Sequence, residues 1–321
     1  MNRALRNLLL AGTAVAVPAV ANAMIAARAG RMPASLSGDI AYYDWTYGRV
    51  AFYRAGMGDP LLLVHHPAIG GSAWEWRGVY LELANRFTVY AMDLLGFGLS
   101  AKPNIRYTGA LYADLVHDFL QDVIGGPAFA AGSGLGASYV VNTAARRPDA
   151  LARLVLVNPT GCTSRLPEAA GAVGRALLRT PVFGESAYYA LVSRAAIARE
   201  LTQHTYYDPL LVSPGMVRTR YQLAHQPGAR FAASAYLTGR LDLPMRMAFS
   251  LLDKPILLLW GRDAYYTPVT DAADLRYRQP GARLEILDEC GMLPHDECVG
   301  DVLRLTVDFL TRPEEDVRRA A

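Results

Sequence analysis

Lysine is almost absent from this chain. Lys102 and Lys254 are the only two, so nearly all of the positive charge rests on arginine. A GC-rich genome explains that bias better than a phosphate-binding role does. The 32 basic and 29 acidic residues leave a net charge of +3, and a nucleic-acid surface needs a clearer basic excess than that. Cysteine is scarce as well: Cys162, Cys290 and Cys298 are an odd set, too few for a disulfide framework. Buried, unreactive thiols are their default reading. The chain has no internal repeat, no low-complexity tract and no long run of like charge, which excludes solenoids and disordered tails. What it does have is 321 residues with 52% hydrophobic content, enough to fill the core of one α/β domain with an insertion. Nothing in the sequence calls for a cofactor or a bound metal.

The N-terminus reads separately from the rest. Leu8 to Ala27, LLLAGTAVAVPAVANAMIAA, is twenty residues without a charge, preceded by Arg3 and Arg6 and followed by Arg28 and Arg31. At 1.5 Å rise per residue such a stretch just spans a bilayer. Ala21-Asn22-Ala23 within it matches an A-x-A cleavage site behind a short basic segment. Both readings, anchor and cleaved signal, place the protein at or beyond a membrane in a bacterial cell envelope. Both also leave residues 1–33 outside the fold.

After that segment the pattern changes. Residues 40–46 and 49–54 read as an antiparallel pair joined through Tyr47-Gly48. Continuous apolar runs then alternate with helical stretches at 108–124 and 137–147, the rhythm of a parallel sheet covered on both faces. Between Cys162 and about Leu252 the strand rhythm stops, and 167–199 and 214–223 read as helices.

Six segments carry a more specific signal. They are LLLVHHPAIGGSAWEW (61–76), FTVYAMDLLGFGLS (87–100), AAGSGLGA (130–137), RLVLVNPTG (153–161), PILLLWGRDAYYTP (255–268) and RLEILDECGMLPHDE (283–297). In this order they resemble the capped type of the α/β-hydrolase superfamily. The resemblance implies an α/β fold with a mostly parallel sheet of eight strands. Residues 34–161 and 253–321 would form the core, and 162–252 a helical cap over a pocket. The cap aromatics Tyr188, Tyr189, Tyr206, Tyr207, Tyr221, Phe231 and Tyr236 are candidates to line that pocket. The resemblance also brings Cys162 and Cys290 to the carboxyl edge of the sheet, where a bridge between them is the alternative to free thiols.

Against the superfamily pattern this chain departs at the reactive positions. The nucleophile sits between two glycines on a sharp strand-to-helix turn. Gly132 and Gly136 take the flanking places, which puts Gly134 where the nucleophile belongs and Ser133 one residue early. The acid position falls on Ala264, with Asp263 adjacent. The general base falls on Met292, and His295 matches a second, structural histidine, expected to bond Glu297 or nearby backbone. After His65, the loop that normally supplies Gly and an oxyanion donor reads His66-Pro67, and proline has no N-H to give. A triad acts as a unit, so its loss costs orders of magnitude in rate.

Two functions follow from these residues. One is non-hydrolytic binding of a hydrophobic small molecule, with His66, Pro67, Ser133, Gly134, Leu135, Tyr265 and Met292 as the binding set and residues 8–27 as a membrane contact. The other is an enzyme: an esterase-like hydrolase with a relocated nucleophile at Ser133 or Cys290, or a cofactor-free lyase or isomerase using His66. Asp263 is the remaining acidic candidate, and Ser133 has a structural alternative as a helix cap.

Overall fold

The computed structural model describes residues 3–30, 36–161, 178 and 180–313. In chain order its elements are α1 (Arg3–Ala29), β1 (Asp39–Trp45), β2 (Gly48–Ala55), β3 (Pro60–Val64), α2 (Tyr80–Ala84), β4 (Thr88–Met92), α3 (Gly109–Phe119), β5 (Ala128–Ser133), α4 (Leu135–Arg146) and β6 (Leu151–Val157). Then follow α5 (Phe183–Leu191), α6 (Arg194–Glu200), α7 (Pro214–Ala224), α8 (Ala229–Leu237), α9 (Arg246–Ser250), β7 (Ile256–Gly261), α10 (Val269–Arg278), β8 (Arg283–Leu287), α11 (Pro294–Glu297) and α12 (Val299–Thr311).

The strands form one eight-stranded sheet in the order β1-β2-β4-β3-β5-β6-β7-β8. The first two junctions, β1 with β2 and β2 with β4, are antiparallel, and all the others are parallel. Leu61, Leu62, Leu63 and Val64 are wholly buried because helices cover both faces, and side chains on successive residues feed two separate apolar cores. Ligands in open α/β sheets collect beyond the carboxyl ends of the strands. Here those ends present His65 and His66 after β3, Ser133 and Gly134 at β5, and Asn158 after β6.

The elbow between β5 and α4 shows why glycine is needed there. A Cβ on Gly132 would lie 2.6 Å from the Ala137 Cα, and one on Gly136 would lie 2.5 Å from the Val64 carbonyl oxygen. Between them Gly134 has φ 54° and ψ −119°, a conformation that L side chains rarely adopt. The turn is therefore the sharp strand-to-helix elbow, with Gly134 at its apex.

Helices α5 to α9 lie between β6 and β7; α5 to α8 contribute residues to a cavity and are called the cap, whereas α9 packs on α4 and α10. The 167–199 reading resolves into α5 and α6, separated where Ser193 caps the second helix through Ala196 N, and 167–177 lies outside the described residues. Cys162 also lies outside them, so the Cys162–Cys290 bridge does too.

The N-terminal segment is not separate from the fold, contrary to the expectation for residues 1–33. Asn22 Nδ2 donates to the Val182 carbonyl at 2.9 Å, and Ser186 Oγ donates to Asn22 Oδ1 at 3.0 Å. Ile25 and Ala26 pack on the cap cluster that contains Tyr188, Tyr189 and Val192. Asn22 and Ala29 are buried as a result. An apolar helix satisfies a protein surface as well as a lipid one, so apolarity alone did not foretell this docking. No helix among the described residues is long and apolar enough to cross a membrane.

Candidate active site

A cavity of about 300 Å³ lies between the elbow and the cap. Its floor is His66, Glu75, Ser133 and Gly134; Ile197, Leu201 and Leu237 come down from the cap, and Met292 and Leu293 close one side.

His66 sits directly against the elbow apex. Its Nδ1 lies 2.5 Å from where a Cβ on Gly134 would stand, and it accepts a hydrogen bond from the Leu135 N-H at 3.1 Å. Leu135 is the residue after the elbow apex, whose N-H is the oxyanion donor in proteins built this way. The imidazole thus fills the space beside the elbow apex and takes up the Leu135 N-H. Because Nδ1 accepts, the proton sits on Nε2, which faces the Tyr236 hydroxyl at 3.3 Å. Burial pushes the His66 pKa down to about 3, with His65 and Arg220 adding to the effect, so the ring is neutral.

The loop beneath is held by a complete set of hydrogen bonds. His65 Nδ1 donates to the His66 carbonyl at 2.9 Å, while its Nε2 accepts from Leu94 N at 3.0 Å. Asp93 accepts from Ala73 N and Leu99 N, both at 2.7 Å. Asn158 bonds the carbonyls of Gly291 and Met292 and accepts from Gly261 N, joining the ends of β6 and β7 to the loop after β8.

Glu75 was not singled out from the sequence, and it is central to the floor. Its Oε1 accepts from the His66 N-H at 2.9 Å, and Ser133 is a side-chain hydrogen-bond partner of the same carboxyl. Burial raises the Glu75 pKa to about 8, opposed by the His66 N-H, the Arg220 charge and Ser133. Ser133 therefore does not cap α4, which has no side-chain cap at all. His295 Nε2 lies 3.7 Å from Glu75 Oε1, and the ring stacks on Trp76 at 4.2 Å between centroids. Neither ring nitrogen of His295 has a hydrogen-bond partner among the described residues, and burial lowers its pKa to about 3. Its expected partner Glu297 instead accepts from Tyr207 N, Gly291 N and Leu293 N.

Arg220 was also missed. It projects from α7 into the cavity, is only 9% exposed, and makes no hydrogen bond or ion pair with any described residue. It falls on the buried stripe Met216, Arg220, Leu223 and Ala224. A charged residue at an apolar-face position was the available signal. For Glu75 the signal was a lone carboxylate between Trp74 and Trp76 in an otherwise uncharged stretch.

Of the sequence candidates, His66, Ser133, Gly134 and Met292 line the cavity. Leu135 contributes its N-H to His66 while its side chain is buried in the core, and Pro67 is buried outside the lining. Tyr265 is 62% exposed and stacks near His204, away from the lining. Asp263 is exposed and Ala264 is buried, and neither lines the cavity. Cys290 is fully buried, and burial drives its thiol pKa far up, so it offers no thiolate. Among the cap aromatics named from the sequence, only Tyr236 lines the cavity; Glu200 and Tyr266, bonded to each other at 2.8 Å, were not anticipated there. No cluster of three or more metal-ligating side chains occurs among the described residues.

Comparison with known proteins agrees with this fold. Residues 61–305 match the model of the alpha/beta hydrolase family. An uncharacterized protein of Mycobacterium tuberculosis is 32% identical over 268 residues, 78% of this chain and 74% of that one. The 2-hydroxymuconate semialdehyde hydrolase of Pseudomonas sp. strain CF600 is 26% identical, over 83% of this chain and 92% of the enzyme. Among solved structures, the 2-hydroxy-6-oxo-6-phenylhexa-2,4-dienoate hydrolase from Rhodococcus sp. strain RHA1 superposes with a TM-score of 0.71 at 22% identity, covering 86% of this chain and all of the other. The chain belongs to the alpha/beta hydrolase family.

Proposed function

We propose that this protein binds a hydrophobic small molecule bearing an acidic group in the cavity under its cap, and does not hydrolyse it. The observation that carries this reading is the seat of His66. A hydrolase of this fold needs a nucleophile at the elbow apex and a free N-H beside it to receive the developing oxyanion. In this chain the apex is Gly134, and the Leu135 N-H is already bonded to His66. Met292, at the general-base position, is held by its N-H to the Thr205 carbonyl at 2.7 Å and offers no proton acceptor of useful basicity.

The acidic group follows from Arg220. A buried guanidinium without a partner is costly, and an anion in the cavity supplies the missing pair. Relatives whose names describe hydrolases of oxo-dienoic acids act on molecules of this apolar, acidic kind. The apolar walls from Ile197, Leu201 and Leu237 fit the remainder of such a ligand. Association with a membrane through residues 8–27, in a cell envelope, belongs to the same reading.

Ser133 beside Glu75 supports the alternative of a relocated nucleophile, and one experiment separates the two. The full chain and Ser133→Ala are assayed on an ester panel with a fluorophosphonate probe, and the purified protein is examined for bound acids by native mass spectrometry. The binding reading expects no labelling and a co-purifying apolar acid that is lost in Arg220→Leu. Turnover or labelling that disappears in Ser133→Ala overturns it in favour of a hydrolase.

A further inference from the structure

Helix α1 has two apolar faces, and the fold uses only one. Pro18, Ala19, Asn22, Ile25, Ala26 and Ala29 turn toward the body of the protein, and the stripe ends in the Asn22 contacts to Val182 and Ser186. Val17, Val20 and Met24, spaced three and four apart, fall on the opposite side of the helix. They are 67%, 60% and 49% exposed. Phe183, the first residue of α5 and next to the Val182 carbonyl that Asn22 holds, adds a 48% exposed ring beside the helix. A row of large apolar side chains on one outward face is an interaction surface, in contrast to single exposed ones scattered over a protein.

Charge identifies the partner. Residues 1–38 contain four arginines, Arg3, Arg6, Arg28 and Arg31, and no aspartate or glutamate; the first acidic residue is Asp39. Arg28 is exposed one turn beyond Met24. An apolar helix face flanked in the sequence by arginines, with no acidic residue before Asp39, matches a bilayer whose headgroups are anionic. A spanning orientation conflicts with the same contacts, because lipid on all sides would strip Asn22 of its partners and leave its amide in hydrocarbon. We infer that α1 lies flat on an anionic lipid surface with Val17, Val20, Met24 and Phe183 inserted, while its opposite face stays docked on the cap. Leu191, 53% exposed and part of the cavity lining, ends the same α5 helix. It stands about 12 Å from Phe183 along the helix axis. The cavity rim is thereby carried close to the lipid. This surface is independent of what the cavity binds.

The test is vesicle flotation of the full chain. It is expected to float with vesicles of phosphatidylglycerol and phosphatidylethanolamine, to float poorly with phosphatidylcholine alone, and to be released by salt or carbonate washing. The double variant V17E/V20E, at exposed positions that leave the fold intact by circular dichroism, is expected to bind the anionic vesicles at least about tenfold more weakly. Arg28→Gln weakens binding less and reduces its salt dependence. Equal binding by wild type and V17E/V20E overturns the proposal, and so does resistance to carbonate extraction, which marks a spanning helix. A lipid-independent dimer that V17E/V20E dissociates also overturns it, since the face then belongs to a second copy.

Discussion

The supports beneath the cavity and the cavity floor itself have opposite characters. His65, Asp93, Asn158 and Glu297, which hold the loops after β3, β4, β6 and β8, have their main hydrogen-bonding atoms matched to backbone groups. On the floor, Arg220 makes no hydrogen bond or ion pair with a described residue, and neither nitrogen of His295 has a hydrogen-bond partner among them. The supports are what any function of this fold requires, because every backbone group they serve is buried. The floor is where chemistry is chosen, and there Gly134 stands at the elbow apex and Met292 closes one side, with Glu75 and Arg220 also in the lining. On the proposed binding reading, the supports persist because the site above them is still used.

Breaking a support has the largest expected effect. Asp93→Ala leaves the Ala73 and Leu99 N-H groups buried without acceptors, at a cost of about 2–5 kcal/mol. Thermal unfolding is expected to show a drop of several degrees or more in Tm, together with loss of the cavity's ligand. A Tm within a degree of wild type would mean that water replaces the carboxylate, and that the supports are less demanding than the contrast requires.

Changing the floor acts in the other direction on stability. Arg220→Leu removes an unpaired buried charge, so Tm is expected to hold or rise slightly. Affinity for an apolar acid is expected to fall by about tenfold or more, because the ligand loses the cationic partner proposed for it. Isothermal titration with the co-purified acid measures this. Undiminished affinity would place the acidic group elsewhere and remove Arg220 from the binding site.

Much of this contrast was legible in the sequence, and the parts that were not share a cause. The strands announced themselves as apolar runs, and the glycines at 132 and 136 fixed the elbow's register because only glycine permits the approach of α4 to β3 and β5. Positions 134, 264 and 292 were read from the motifs, and the structure places Gly134 at the elbow apex, Met292 in the cavity lining and Ala264 outside it. Glu75 and Arg220 were not singled out, because a charged residue in sequence reads first as solvent-facing, and only packing reveals that both are enclosed. The docking of α1 was hidden for the converse reason. Its apolar side chains fit lipid and protein equally, and Asn22 alone distinguished the face that meets the cap.

The exchange of bulk between positions 66 and 134 gives a sharper test. Gly134→Ser alone places a Cβ 2.5 Å from His66 Nδ1 and strains a backbone with φ 54°. It is expected to destabilise the fold by about 2 kcal/mol. His66→Gly alone frees the Leu135 N-H and opens space at the floor. In the double variant the clash is gone, and a double-mutant cycle is expected to give a coupling of about 1 kcal/mol or more. Additive effects would mean that the imidazole swings aside readily and does not hold the hole shut. Restoring Ala264→Asp and Met292→His is expected to yield esterase activity only in the background that carries both His66→Gly and Gly134→Ser.

The smallest effect concerns protons on the floor. Burial raises Glu75 from an ordinary value of 4.5 to about 8, so the folded protein holds its proton more tightly than the unfolded chain. The resulting stability is fully present below about pH 4.5 and is lost as pH rises through 8. His66 and His295, both lowered from 6.5 to about 3, act oppositely: their contribution is present above pH 6.5 and lost as pH falls through 3. Between pH 6.5 and 8 the Glu75 contribution therefore changes while those of the two histidines do not. In Glu75→Gln the amide keeps the geometry and cannot ionise, so the decline in Tm across this window is expected to be shallower than in the wild type. An unchanged slope would mean that Glu75 is already ionised at pH 6.5, paired through space with Arg220. The guanidinium would then be balanced from within the floor, and the unpaired character that separates the floor from its supports would shrink to His295.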